Sequence, residues 1–536
     1  MEFIIFTLIQ ALWFGAISWK FYVAADRKAW KAFVPVYNTF VLLRIAQRPT
    51  YWVLLYCIPV VGPVIGIVML YELLHVFKFR KTWQTALVVG TFGIYLAYLN
   101  YYERLKYWGR DNEYIKKNLL GGINSIFFAV IVATIIRSTT FEAYTIPTSS
   151  MEKSLMVGDF LFVSKLHYGV RIPMTPLSVP LVHNTLPFFG IDSYLEWPQI
   201  PYLRLPAFYS VERGDPVVFN YPGDTAHYPI DKKMNYVKRC IGIPGDSLEI
   251  VDRIVMVNNE TFEFPDGSKP QYRYYVKTNG QSFSREELKE KFDINYLTPK
   301  EWEKYRFDQD VIGIGSSNKE FLIYIQEDLI DKFKDLRNVV EVRPFIVPRS
   351  GINEDTTLPQ SLKSLLSESG RNLFPEMLEG HIRQFDDTWE NYGPIYIPEA
   401  GATVELTPKN YYYYRTVIET HEGHKLNRRN GTVFIDGKAR TSYTFEKNYY
   451  WMMGDNRNNS EDSRYWGYVP EDHIVGKPVF IWMSWYKHKD GFWKVRNERV
   501  FTLVNGEGER RSYFWYFVGV ILFYQLFVFI RRRRKA

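Results

Sequence analysis

Three short segments hold the side chains best suited to covalent chemistry. The first reads Ile146-Pro-Thr-Ser-Ser-Met151-Glu-Lys-Ser-Leu155-Met-Val-Gly-Asp159. The second reads Asn235-Tyr-Val-Lys238-Arg-Cys-Ile-Gly-Ile-Pro-Gly-Asp246, and the third Gly454-Asp-Asn-Arg-Asn-Asn-Ser460-Glu-Asp462-Ser-Arg464-Tyr-Trp-Gly467. A serine hydroxyl is a weak nucleophile until a base takes its proton. Lysine serves as that base only where burial or nearby positive charge lowers its pKa, so its amine needs an apolar pocket. Tyr236, Val237, Cys240 and Ile241 flank Lys238 in a strand-like run that offers such a setting. A lysine with a surface or salt-bridge role fits the same pattern, and the residue types alone leave both readings open.

Groups of this kind need a frame to hold them. The chain has 536 residues, 47% hydrophobic, 17% aromatic and 23% charged, enough for two to four domains and too apolar for a disordered chain. Its two cysteines, Cys57 in an apolar run and Cys240 in a polar region, exclude a disulfide-stapled scaffold. The formal charge is +8, but five positive charges are the run Arg531, Arg532, Arg533, Arg534 and Lys535, directly behind an apolar segment. That placement is a membrane-topology signal and argues against a nucleic-acid partner.

Five stretches approach the roughly 20 apolar residues that a spanning helix requires: 3–19, 51–71, 83–102, 119–136 and 513–530. Trp19, Tyr51, Trp52, Trp83, Tyr101, Tyr102 and Trp515 sit at their ends, as an aromatic belt would. The first stretch has too little early positive charge for a cleaved signal peptide. Positive clusters at Lys20, Arg27, Lys28 and Lys31, at Arg104, Lys106, Arg110, Lys116 and Lys117, and at the Arg tail put 137–512 on the extracytoplasmic side. The loop with Lys78, Arg80 and Lys81 violates this scheme.

From about residue 141 the pattern turns to short alternating runs, such as 215–221, 247–257 and 432–436, separated by Gly, Pro and Asn. These predict antiparallel sheets with one buried face. Residues 171–208, rich in Pro, Leu and aromatics, read either as an irregular wall of the core or as an apolar surface dipping into lipid headgroups. Residues 256–390 carry charged helical patterns at 284–292 and 327–336. The expected fold class is therefore N-terminal transmembrane helices, a mainly antiparallel β extracytoplasmic catalytic domain with an α/β insertion, and a C-terminal transmembrane helix. The expected boundaries are 1–117 for an accessory membrane bundle, 118–140 for an anchor, 141–255 and 391–500 for the two parts of the β core, 256–390 for an insertion or cap, and 512–536 for the last span and tail.

In order, spacing and placement, the three segments together with Arg213-Gly-Asp-Pro-Val-Val-Phe-Asn-Tyr-Pro222 resemble the boxes of the bacterial signal peptidase I family. The resemblance covers roughly 120–255 and 390–485. It implies Ser150 as nucleophile and Lys238 as general base of a Ser–Lys dyad. It further implies oxyanion donors at the Ser150 backbone N–H and the Thr148 hydroxyl. Ser460 would orient the lysine amine, with Asp462 and Arg464 as a supporting ion pair, while Asp455 and Arg457 would be scaffold. Ile146, Pro147, Met151, Leu155, Tyr236 and Val237 would lie near shallow pockets for small side chains before the cut, although isolated apolar residues more often belong to a core. The implied activity is membrane-bound removal of signal peptides from secreted preproteins through an acyl-enzyme, with no metal or cofactor. Implied partners are preproteins, membrane lipid and secretion machinery, and the implied location is the bacterial plasma membrane, multi-pass. Ser150 stands 14 positions beyond Ile136, so the site would lie close to the bilayer.

Other readings remain beside this one. Ser150-x-x-Lys153 matches the Ser-x-x-Lys pattern of penicillin-recognising enzymes, but Lys277-Thr-Asn-Gly280 is not their Lys-Thr-Gly and Ser-Asp-Asn is missing. On the dyad reading Lys153→Ala leaves activity largely intact. His421-Glu-Gly-His424 is not the His-Glu-x-x-His of a zinc site. An inactive membrane-anchored binding module is the third alternative.

Overall fold

The structure, a computed structural model, describes residues 2–53, 61–110, 133–349, 373–375 and 387–519, apart from short stretches within those ranges. It divides into two units, Met1–Phe141 with Ser178–Ser193, and Glu142–Leu177 with Tyr194–Ala536.

The second unit is built on antiparallel β structure. Its first strands are β1 (Phe141–Thr145), β2 (Asp159–Ser164), β3 (Pro216–Asn220) and β4 (Asn235–Gly242), followed by β5 (Ser247–Val251), β6 (Ile254–Val257) and β7 (Glu260–Thr261). An inserted sheet follows: β8 (Gln271–Thr278), β9 (Val311–Ile314), β10 (Glu320–Gln326) and β11 (Val339–Pro344). The chain then returns through β12 (Tyr392–Tyr396), β13 (Thr403–Glu405), β14 (Leu426–Arg429), β15 (Thr432–Ile435), β16 (Lys438–Arg440) and β17 (Ser442–Thr444). It finishes with β18 (Tyr449–Met453), β19 (Val469–Pro470), β20 (Ile474–Ser484) and β21 (Thr502–Leu503). The main sheet runs β1-β2-β20-β3-β4-β18-β19, so strands from both ends of the unit are interleaved across one surface. Val217, Phe219, Cys240, Met452, Trp466 and Ile474 form the core under its centre.

The inserted sheet, ordered β11-β8-β10-β9, shows why its residues are strands. Tyr272, Tyr274 and Val276 of β8 point to one face with Phe321, Ile323 and Ile325 of β10. The alternate residues Tyr275 and Leu322 point to the other, with Ile314, Phe345 and Val347. A period of two with both faces covered is the mark of a buried antiparallel sheet. The helix Arg285–Phe292 covers the first face through Leu288 and Phe292, one turn apart. Ser284 caps its start by accepting from the Glu287 N–H at 3.3 Å, and it stops at Asp293, whose φ of 52° is left-handed.

In the first unit the structure corrects the expected membrane spans. No helix among the described residues is long and apolar enough to cross a membrane. The stretch 83–102 is broken into two nine-residue helices, Thr82–Gly90 and Ile94–Tyr102, with Gly93 between them at φ +89°. Each rises about 13 Å, under half of a hydrocarbon layer about 30 Å thick. The stretch 51–71 meets a 16-residue helix, Val61–Val76, that carries Glu72, which is buried and paired with Arg48. The 3–19 stretch lies in the helix Glu2–Ala24, where Ile17, Phe21 and Tyr22 bury against a core containing Leu42, Leu43, Leu73 and Leu74. Part of this apolar surface packs within the unit, while Trp13, Val23, Trp83, Leu87, Ile94 and Tyr98 are exposed. Most of the expected 119–136 and 513–530 spans, the Arg tail and Cys57 lie outside the described residues.

Because Phe333 is fully buried beneath the inserted sheet, Phe333→Ala is expected to cost about 3–5 kcal/mol and to lower the urea midpoint of the chain. An unchanged midpoint would mean that this sheet packs loosely.

Candidate active site

The loop between β1 and β2 closes on itself before it presents anything. The Ile146 N–H donates to the Asp159 carbonyl at 2.9 Å, and the Gly158 N–H donates back to the Ile146 carbonyl at 3.0 Å. Within this closed loop Ser149–Met151 forms one 3-10 turn, entered through an extended Thr148. Ser149 is buried, Ser150 half-buried, and Pro147 and Thr148 are exposed. Ile146, Met151 and Leu155 face inward to an apolar cluster with Leu161, Ile481 and Val504, and Val237 packs against it.

The turn is held from the far end of the sequence. The Asn456 N–H donates to the Ser150 carbonyl at 3.0 Å, and Asn456 Nδ2 donates to the Ser149 carbonyl at 3.2 Å. Asn459 Nδ2 donates to Ser149 Oγ, also at 3.2 Å. Gly454 passes so close that a Cβ there would lie 2.2 Å from Ser460 Oγ and 2.6 Å from the Ser150 carbonyl oxygen. Only glycine fits between them, and Ser460 is thereby brought beside the Ser150 turn.

Lys238 approaches through the sheet. The Ser149–Met151 turn packs against β4, and Lys238 on that strand is 3% exposed. Its amine lies 5.8 Å from the centre of the Tyr236 ring. That ring stacks on Tyr221 at 4.6 Å and meets the edge of Trp466 at 5.6 Å. On the outer side β18 pairs with β4 only from Arg239 onward, so the edge at Tyr236–Lys238 has no strand neighbour on that side among the described residues.

Whether the amine is charged depends on the acids around it. Asp462 is gripped by Arg464, through Nε at 2.9 Å and Nη2 at 2.7 Å, and accepts the Gly454 N–H at 3.0 Å. Arg464 is anchored in turn on the Arg457 carbonyl at 2.6 Å and lies over the Trp389 ring. Asp455 is held by Arg239, whose Nε donates to it at 2.7 Å. Burial raises both carboxyls, but the arginines outweigh it and keep both carboxylates ionised. The two buried carboxylates facing Lys238 thus have arginine partners, while Glu461, which also acts on the amine, is exposed. Burial dominates at Lys238 and brings its pKa from the usual 10.5 down to about 8.

Lys153 is in the opposite condition. Its buried amine lies 3.0 Å from Asp293 and 3.8 Å from Asp310. Burial lowers its pKa, but Asp293, Asp310 and Glu152 more than compensate, so it stays an ammonium. A charged amine cannot serve as the base that a Ser-x-x-Lys enzyme requires. His424 is engaged by Asp436 at 2.7 Å and Glu446 at 3.1 Å, and among the described residues no group of three His, Cys, Asp or Glu could hold a metal ion.

Several site residues lay outside the sequence argument: Gly454, Asn456 and Asn459 against the serine turn, and Arg239 against Asp455. The two asparagines fall inside the third segment, but nothing local announces that their amides reach back some 300 positions.

Comparison with known proteins gives two family matches. Signal peptidase, peptidase S26, matches residues 119–303 and 400–485, together just over half of the chain. A family of unknown function (DUF5684) matches residues 30–110. Signal peptidase I of Buchnera aphidicola subsp. Schizaphis graminum is 24% identical over 387 residues, 72% of this chain and 82% of that protein. The Haemophilus influenzae protein of the same name is 24% identical over 389 residues, 71% of this chain and 75% of its own. That of Rickettsia typhi is 30% identical over 155 residues, 29% of this chain and 49% of its own.

The depressed Lys238 pKa has a sign that stability measurements can read. Below pH 8 the folded and unfolded chains both carry the proton, and the folded state bears the full cost of a buried ammonium, about 3 kcal/mol. Between pH 8 and 10.5 only the unfolded chain keeps it, so stability rises with pH. Lys238→Met is therefore expected to be more stable than the parent at pH 7 in urea unfolding, with the gain shrinking across that window. Equal destabilisation at pH 7 and pH 10 would contradict a strained amine.

Proposed function

The chain belongs to the signal peptidase family, peptidase S26, and from that membership we propose that it is a serine endopeptidase removing signal peptides from preproteins through a Ser150–Lys238 dyad. One observation carries the reading. Lys238 is buried on the strand against which the serine turn packs, and the two buried acids near its amine, Asp462 and Asp455, are paired with arginines.

In the proposed reaction neutral Lys238 takes the Ser150 Oγ proton as that oxygen attacks the scissile carbonyl. The Ser150 N–H and the Thr148 hydroxyl stabilise the tetrahedral oxyanion; losing one such donor costs roughly 3–4 kcal/mol in comparable enzymes. Support for Thr148 is its exposed, extended position at the head of the turn, where its hydroxyl caps nothing. Lys238 then protonates the leaving amine, an acyl-enzyme forms at Ser150, and the same lysine activates water to release it. Ser460 keeps the amine oriented, and the Asp462–Arg464 pair keeps the Ser460 loop in place.

The substrate is proposed to lie as an added strand along Tyr236 and Val237, on the edge of β4 that β18 leaves uncovered. Small side chains before the cut suit a site whose nearby apolar residues Ile146, Met151 and Leu155 are already packed inward, leaving shallow relief. Preproteins emerging at the extracytoplasmic face of the plasma membrane, with its lipid and secretion machinery, are the proposed setting.

Cleavage of a preprotein with an Ala-x-Ala site tests the assignment. Ser150→Ala and Lys238→Ala are each expected to lose at least about 10³-fold in kcat. In the parent, kcat/KM is expected to fall tenfold per pH step below about 8 as the base gains its proton. Full activity in Ser150→Ala would end the assignment.

A further inference from the structure

The residues after the serine turn carry a constraint that the dyad does not use. Lys153, three positions beyond Ser150, adopts φ +68°, a left-handed conformation uncommon for a residue with a side chain. Its partners come from the insertion. The Lys153 amine donates to the Asp293 carbonyl and pairs with the Asp293 and Asp310 carboxylates. Neither acceptor is a loose surface group. Asp293 is the left-handed residue that ends the capped helix Arg285–Phe292. Asp310 is fixed by the Asn295 N–H at 2.9 Å, while its own N–H donates to the Asn295 carbonyl at 2.9 Å. The Tyr324 N–H of β10 closes on the Asp310 carbonyl, also at 2.9 Å.

The same segment grips its neighbours at further points. The Lys269 N–H donates to Ser154 Oγ at 2.8 Å. At the start of β8 the Gln271 N–H donates to the Asp455 carbonyl at 2.8 Å, and the Arg457 N–H donates to the Gln271 carbonyl at 3.0 Å. The Arg273 N–H reaches Asn458 Oδ1 at 3.2 Å. Residues 455–458 are the stretch whose Asn456 holds the carbonyls of Ser149 and Ser150. Residues 269–344 therefore hold the chain just after the serine turn, at Lys153 and Ser154, and support the turn itself indirectly through the stretch that contains Asn456.

We propose that the inserted sheet is a brace that sets the position of Ser150 relative to Lys238, and that Lys153, clamped by Asp293 and Asp310, is its positioning residue. This rests on the dyad reading above and assigns a task to a segment that the family match covers only in part. A nucleophile displaced by a fraction of an ångström reacts more slowly without binding substrate less well. The buried lysine is thus not the bystander that its sequence position suggests.

The experiment uses the full chain and the Ala-x-Ala preprotein. Asp293→Asn is the first variant, because Asp293 is partly exposed and its loss leaves Asp310 to hold the lysine. It is expected to lower kcat about tenfold with KM within about twofold, and to leave the acid limb of kcat/KM where the parent has it. Lys153→Met should lower kcat further, and Lys153→Arg, which keeps the charge, should recover most of it. A purely structural contact would lower the melting temperature without separating kcat from KM. The proposal is overturned if folded Asp293→Asn keeps kcat within twofold of the parent, or if KM alone rises. Should Lys153→Met fail to fold, Asp293→Asn and Lys153→Arg still decide it. Failure of the dyad reading shows separately, as activity surviving in Ser150→Ala.

Discussion

Everything in the proposed site depends on keeping one amine out of water without giving it a counter-ion. A buried lysine beside free carboxylates would hold its proton, as Lys153 does between Asp293 and Asp310. Lys238 differs because burial outweighs the acids near it, two of which, Asp462 and Asp455, are matched with Arg464 and Arg239. Two lysines within one unit, both buried, thus have their pKa values moved in opposite directions, Lys238 down and Lys153 up, by the surroundings that tertiary folding supplies. The first suits proton transfer and the second suits holding a strained turn.

The loop from Gly454 to Gly467 does the joining. Gly454 admits Ser460 to the serine turn because it has no side chain, and its N–H helps to hold Asp462. Asn456 and Asn459 hold the backbone and side chain of the turn itself. Arg464 ties the loop back on itself through the Arg457 carbonyl. Asn456 and Asn459 contact the serine turn directly, whereas Asp462 and Arg464 act on it only through the loop they hold. The loop is in turn supported by β8 of the insertion, so the main sheet, the loop and the inserted sheet form one mechanical arrangement.

The first unit illustrates a limit of hydropathy. Apolar runs of 17 to 21 residues read equally as membrane spans and as helices of a protein core, because composition does not say what surrounds them. Among the described residues no helix is long and apolar enough to cross a membrane: 83–102 breaks at Gly93, and Val61–Val76 carries the buried Glu72 paired with Arg48. Antiparallel β structure beyond residue 141 was legible for the opposite reason, since alternation is a local property that either appears in the run or does not.

The candidate residues of the proposed site, their order, and the apolar flanks of Lys238 could be read from the sequence alone. The same holds for the charged helical pattern at 284–292 and for the alternating runs at 247–257 and 432–436. These features depend on neighbours within a few positions. Tertiary structure decided which acids surround each lysine and which arginines neutralise them. Arg239 meets Asp455 across 216 positions, and Lys153 meets Asp293 across 140. Ionisation follows the summed field of groups brought together only by folding, and that sum has no local trace in the chain.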